Sequence, residues 1–250
     1  MSEIETLREY EDFNYGEVKA ALGDSLSLTE DLVDLYKLMA EICSKTSAAV
    51  QDDIFAGLQF VLACRYHLVV GALTALRGHI TDSFRNSRMA IESAAFAARV
   101  KRDPGLATVW LNAGHDDAAY KEYRNQFSKL FAGDDPVLRE LGSRYDDCAK
   151  QGHPSVYAFA GHTKIEQTPT DLLVQFEYFQ MRSDASEPVR TYLWILTTHL
   201  LIVRLLSNVM ARALEHDRHR WDLQFNSFEA KLEVHKVRWL ERIPALKPAE

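Results

Sequence analysis

The chain has 250 residues, 47% hydrophobic and 26% charged, enough to bury a substantial core as one soluble domain over residues 1–250. Its formal net charge of −7 argues against an extended nucleic-acid-binding face and leaves room only for a local basic cleft. Three cysteines, Cys43, Cys64 and Cys148, are odd in number and lack metal-type spacing, so they read as reduced core thiols of a cytoplasmic protein.

The amino terminus, M-S-E-I-E-T-L-R-E-Y, is acidic and lacks an apolar signal region, so no secretion is expected. Residues 1–25 are polar and weakly periodic, an arm or short helix ending near Gly23. The helical core is expected over residues 27–216. It starts at Ser27-x-x-Glu30, a capping-box pattern ahead of the stripe Leu28, Leu32, Leu35, Met39 and Ile42. A second long helix is predicted from about Asp52 to His79, with Phe55, Leu58, Leu62, Tyr66, Val69, Leu73, Leu76 and Ile80 as its apolar stripe, interrupted weakly by Gly71 and Gly78. Thr81 or Asp82 can then cap a third helix, antiparallel to the second.

That third helix, Thr81 to Asp103, carries a charged pair inside its apolar face. Phe84, Ile91, Ala95 and Ala98 repeat at helical spacing, Arg88 falls on the same face, and Glu92 follows at i+4, where helix side chains meet. A buried or half-buried Arg88–Glu92 ion pair is the plain expectation. The alternatives are an Arg88 that bends out to the bundle edge, its stem covering apolar surface, and an Arg88 that faces a ligand. The alanines at 94, 95, 97 and 98 let a neighbouring helix come close, and Pro104 with Gly105 ends the helix.

Short helices are expected over Leu106 to Ala113 and within the charged surface segment Asp116 to Phe131, then a helix from about Pro136 to Lys150. K-Q-G-H-P-S-V-Y-A-F-A-G-H-T breaks the pattern and crowds His153, Ser155 and His162 into an irregular stretch, the kind of loop that presents functional groups from a rigid scaffold. T-K-I-E-Q-T and L-L-V-Q-F-E-Y-F-Q flank Pro169-Thr170-Asp171 and read as a small β-hairpin near residues 163–180, rich in β-branched and aromatic residues. The competing reading is a helix capped at Thr168 with Pro169 in its first turn. Glu187 to about Glu215 is the most apolar helix and belongs at the centre of the core. Its charge-free run, Thr191 to Val203 with a neutral His199, is too short to span a bilayer, which needs about 20 residues. Residues 217–250 form a last amphipathic helix through Trp221, Phe225, Phe228, Leu232 and Trp239, and a frayed tail. The fold class is mainly α: a multi-helix bundle with long antiparallel helices and one small β-hairpin.

Three motifs in this order, R-x-x-x-E (Arg88, Glu92), R-D-P (Arg102-Asp103-Pro104) and H-P-S (His153-Pro154-Ser155), resemble a bacterial all-helical family, a domain of unknown function distantly similar to the HEPN and abortive-infection class. The resemblance covers roughly residues 60–205. It implies a helical bundle, often paired as a homodimer, in a class that includes RNA-cleaving toxins and companions of nucleotidyltransferases. Arg88, Glu92 and His153 are the polar positions it points to. The ribonuclease motif of that class, an Arg and a His separated by four to six residues, occurs only as Arg212 and His219, in a charged run, at a frequency chance supplies.

A metal-independent ribonuclease needs a base near the 2′-hydroxyl and a cation for the developing phosphorane charge. His153 and Arg88 are the candidates for those catalytic roles, with Glu92, Ser155 and His162 as binding positions. A capping role for His153 at the end of the preceding helix is the structural alternative. His216 and His219 could share a metal only with a third ligand that is not evident, and there is no Gly-rich phosphate loop, nucleophile elbow or zinc-type cysteine pattern. No metal and no cofactor are expected. The functional expectation is a cytoplasmic bacterial binding or regulatory module, in phage defence or stress response, acting as a dimer or with an RNA or protein partner and without a membrane. The alternatives are a HEPN-like ribonuclease using Arg88 and His153, and a structural dimer with no catalytic site.

Overall fold

The computed structural model describes residues 2–45, 52–152, 163–168, 171–176 and 185–242. Ten α-helices run through them: α1 (Glu3–Leu22), α2 (Ser27–Ser44), α3 (Asp52–Leu76), α4 (Ile80–Arg102), α5 (Gly105–Asn112), α6 (Asp117–Asn125), α7 (Pro136–Gly152), α8 (Ser186–Val209), α9 (Ala211–Leu214) and α10 (Arg218–Arg242). They build an all-helical bundle.

The β-hairpin expected as a component of that bundle is corrected. The strands β1 (Thr163–Gln167) and β2 (Leu172–Phe176) pair antiparallel, Thr163 opposite Phe176 and Ile165 opposite Val174, and pack chiefly on each other. Two short strands form no layer of the fold. β-Branched residues favour local strand pairing, but an isolated two-stranded ribbon buries little, and the helices close their core without it.

The amino-terminal segment is a full helix, opened by a capping box: Ser2 Oγ accepts from Glu5 N–H at 3.3 Å and Glu5 Oε2 accepts from Ser2 N–H at 2.7 Å. Ser27-x-x-Glu30 is not one. Its helix grows out of a 3-10 turn at Gly23–Leu26, and the Ser27 hydroxyl donates to the Asp24 carbonyl. The α2 stripe is as expected, with Leu28, Leu32, Leu35, Met39 and Ile42 all buried.

Helix α3 presents the opposite side from the one its stripe suggested. Phe55, Leu62, Tyr66, Val69 and Leu73 of that stripe are exposed, Leu58 is half-buried and only Leu76 and Ile80 are buried, whereas Ile54, Phe60, Val61, Cys64, Leu68, Ala72 and Ala75 face inward. The helix is apolar on all sides, so its period does not mark the inward face, which mixes small residues such as Gly71 and Ala72 with Phe60 and Leu68. A Cβ on Gly71 would touch the Asn86 Cβ on α4 at 3.4 Å, which measures how closely these two helices lie. Gly78, at φ 84°, closes α3 in a left-handed turn where His79 N–H reaches back to the Thr74 carbonyl. Helix α4 then starts at Ile80, its cap at His79 two or three residues before the expected ones, and runs back along α3.

Helix α4 is central, packing on α3, α7 and α8, and α10 closes the bundle against α2. The long apolar helix expected to reach Glu215 breaks at Met210, after which come α9 and a 3-10 turn. Helices α3 and α8 are long and apolar enough to cross a membrane by length and composition alone, a test that core helices of soluble bundles also pass.

Candidate functional site

Arg88 and Glu92 meet on the half-buried side of α4, where α7 crosses it. Helix α7 follows its own stripe, Leu138, Leu141, Tyr145 and Cys148, and this brings the Tyr145 ring onto α4. Arg88 Nε donates to Glu92 Oε1 at 3.1 Å and Arg88 Nη2 donates to the Tyr145 hydroxyl at 2.6 Å. The guanidinium carbon also stands 4.7 Å from the centre of the Tyr145 ring. The Arg88 side chain is 27% exposed and that of Glu92 14%, so the pair is half-buried.

Burial pulls the Arg88 guanidinium down, but its bonds to Glu92 and Tyr145 outweigh this and hold it above its ordinary value. Burial, then the Glu92 charge, raises the Tyr145 phenol, which stays protonated. One turn on, burial and Asp147 push the Cys148 thiol up to about 12. A thiol so placed is no nucleophile at neutral pH. The group thus holds a neutralised cation, a protonated phenol and a protonated thiol.

A second arginine anchors the same junction. Arg144 Nη1 donates to Thr197 Oγ1 at 2.9 Å and Thr198 Oγ1 at 2.8 Å on α8, while its Nε donates to Glu140 at 3.3 Å. Its guanidinium lies 5.8 Å from the Trp194 ring centre, and Trp194 in turn packs on Phe84 of α4. These contacts tie α4, α7 and α8 together around Arg88. The α7 period could have shown that Tyr145 turns inward, whereas nothing in the sequence singled out Arg144 among the eighteen arginines.

Of the other expected site residues, His153, Ser155 and His162 lie outside the described residues. Helix α7 ends at Gly152, immediately before His153. Arg212 and His219 are exposed, as befits a solvated helix end.

Deeper in the core, Tyr36 of α2 and His199 of α8 share a hydrogen bond, hydroxyl to Nδ1, at 2.9 Å. Both are completely buried, and His199 Nε2 has no hydrogen-bond partner among the described residues. Burial, with His67 nearby, brings the imidazole down to about 3, so the charge-free run of α8 is indeed neutral. A separate open cavity of about 370 Å³ lies between α2 and α10, floored by Leu35, Leu38 and Phe228. The charges at its rim are already paired within the chain, Lys231 with Asp31 and Arg220 with Glu41. Among the described residues no group of three His, Cys, Asp or Glu side chains is placed to hold a metal ion. No protein-family model, curated protein or solved structure matches the chain.

Proposed function

We propose that this chain is a binding or regulatory module of the cytoplasm, working through its surfaces as a homo-oligomer or with a protein partner. The observation that carries the reading is the state of Arg88. A phosphate-binding arginine must offer its fork to the ligand, but here Nε is bonded to Glu92 and Nη2 to Tyr145 on the same chain. Freeing it would strand a half-buried Glu92, an expensive exchange for a catalytic group. The three buried, unbridged thiols support a reducing compartment.

The test is incubation of the purified protein with total cellular RNA, with and without chelator, beside Arg88→Ala and His153→Ala. The module reading expects intact RNA in every lane. Chelator-resistant cleavage by the wild type, lost in both variants while they remain folded, would overturn it in favour of a metal-independent ribonuclease.

A further inference from the structure

The exposed face of α3 is built like a core. Between Ile54 and Leu76 its single formal charge is Arg65, yet Phe55 is 45% exposed, Leu62 44%, Tyr66 62%, Val69 44% and Leu73 39%. These five side chains form one stripe about 27 Å long at 1.5 Å per residue, on the side of α3 turned away from α4. A contiguous apolar surface of this kind on a soluble domain marks an interaction face.

We infer that this face binds a second copy of the same chain, α3 packing antiparallel on α3 across a two-fold axis that crosses the exposed stripe between Leu62 and Tyr66. The inference deepens the module reading above and rests on it. Two features of the stripe select a second copy over another occupant. The first is its symmetry. Residues 55, 62, 66 and 73 sit at equal distances either side of residue 64, so a two-fold rotation at that level lays Phe55 on Leu73 and Leu62 on Tyr66, with Val69 over the polar Gln59. An isologous interface requires such a self-complementary patch.

The second feature is charge. Asp52, exposed at the start of α3, and Arg77, 41% exposed just past its end, lie twelve and thirteen residues from Cys64. At 100° per residue the two project to the same flank of the stripe. A two-fold axis through the seam preserves that flank, so each Asp52 meets the other copy's Arg77, and the antiparallel helix dipoles also pair favourably. Arg77 is 3.8 Å from Glu11 in its own chain, a long contact that leaves the guanidinium accessible. The same two-fold sets the two copies' Arg65 on the other flank close to the axis, a repulsion that the Asp52–Arg77 contacts at both ends must outweigh, whereas a parallel pairing would forfeit those end contacts and align the dipoles unfavourably. A lipid surface would reward apolar area ringed by basic residues alone, whereas this rim sets Asp52 at one end against Arg77 at the other, the arrangement a reversed copy matches.

A single helical seam falls short of the roughly 800 Å² per partner of a standard interface, so dissociation in the micromolar range is expected. Sedimentation velocity of the full chain from roughly 1 to 100 μM should show a monomer–dimer equilibrium. Leu62→Glu and Tyr66→Glu, both at exposed positions, should leave circular dichroism unchanged and weaken association at least tenfold. Asp52→Arg alone should weaken it less, and Asp52→Arg combined with Arg77→Asp should restore it, since both contacts are then reversed. A chain monomeric throughout this range, a dimer indifferent to Leu62→Glu, or a monomer that instead binds phosphatidylglycerol vesicles through α3 would overturn the inference. Any of these leaves the RNA-cleavage result untouched, so failure here and failure of the module reading are distinguishable.

Discussion

At Arg88 the costs of charge burial are set by geometry. An ion pair bonded on both sides is little better than a hydrophobic replacement of the same shape, but a lone half-buried charge is costly. Glu92→Ala should therefore destabilise the chain by about 1–3 kcal/mol, read as a lower urea midpoint, while Arg88→Met with Glu92→Leu should recover most of that loss. His199 gives a different signature. The native imidazole, held at about 3, stays neutral at pH 5, while the unfolded chain, at its ordinary 6.5, takes up a proton. The unfolded state thus binds more protons between those values. Stability is complete above pH 6.5 and falls toward pH 3 by up to about 1.4 kcal/mol per pH unit. Urea titrations at pH 7 and pH 5 should show a smaller pH-dependent loss in His199→Gln than in wild type, the carboxylates being common to both. The i+4 spacing made the Arg88–Glu92 pair legible from residues alone. Its third member was not, because Tyr145 lies 57 residues away and only the packing of α7 brings it in.

For elements, the sequence showed existence and type better than facing. Helix α2 has polar residues such as Asp34 and Lys37 opposite its stripe, and so its buried side was readable. Helix α3 lacks that contrast, and the large side chains that stood out were the exposed ones. The break at Met210 had no proline or glycine to announce it. Gly78 reads from the sequence as a weak interruption of the helix, but it closes the helix, and its left-handed φ of 84° gives the residue a definite task. Gly78→Ala should cost about 1–2 kcal/mol, the penalty of a Cβ in that conformation, measured as a drop in thermal midpoint. Gly71→Ala is the instructive comparison. Its Cβ meets the Asn86 Cβ at 3.4 Å, an ordinary contact, and helix propensity favours alanine, so that variant should fold as well as the wild type.

The two ends of the molecule are fastened to each other by pairings distant in sequence. Helix α10 is fastened to the start of α2 by a buried trio, with Ser25 Oγ 2.8 Å from His235 Nδ1 and accepting from Trp239 Nε1 at 2.9 Å. Lys231 reaches Asp31 and Arg220 reaches Glu41 along the same seam. Ser25 and His235 are 210 residues apart. At about 5–20 residues per second of synthesis, α2 therefore waits roughly 10–40 s for the helix that covers it. For that interval a nascent chain carries the uncovered seam through the cell, and it is there, before release from the ribosome, that a chaperone would first find something to hold.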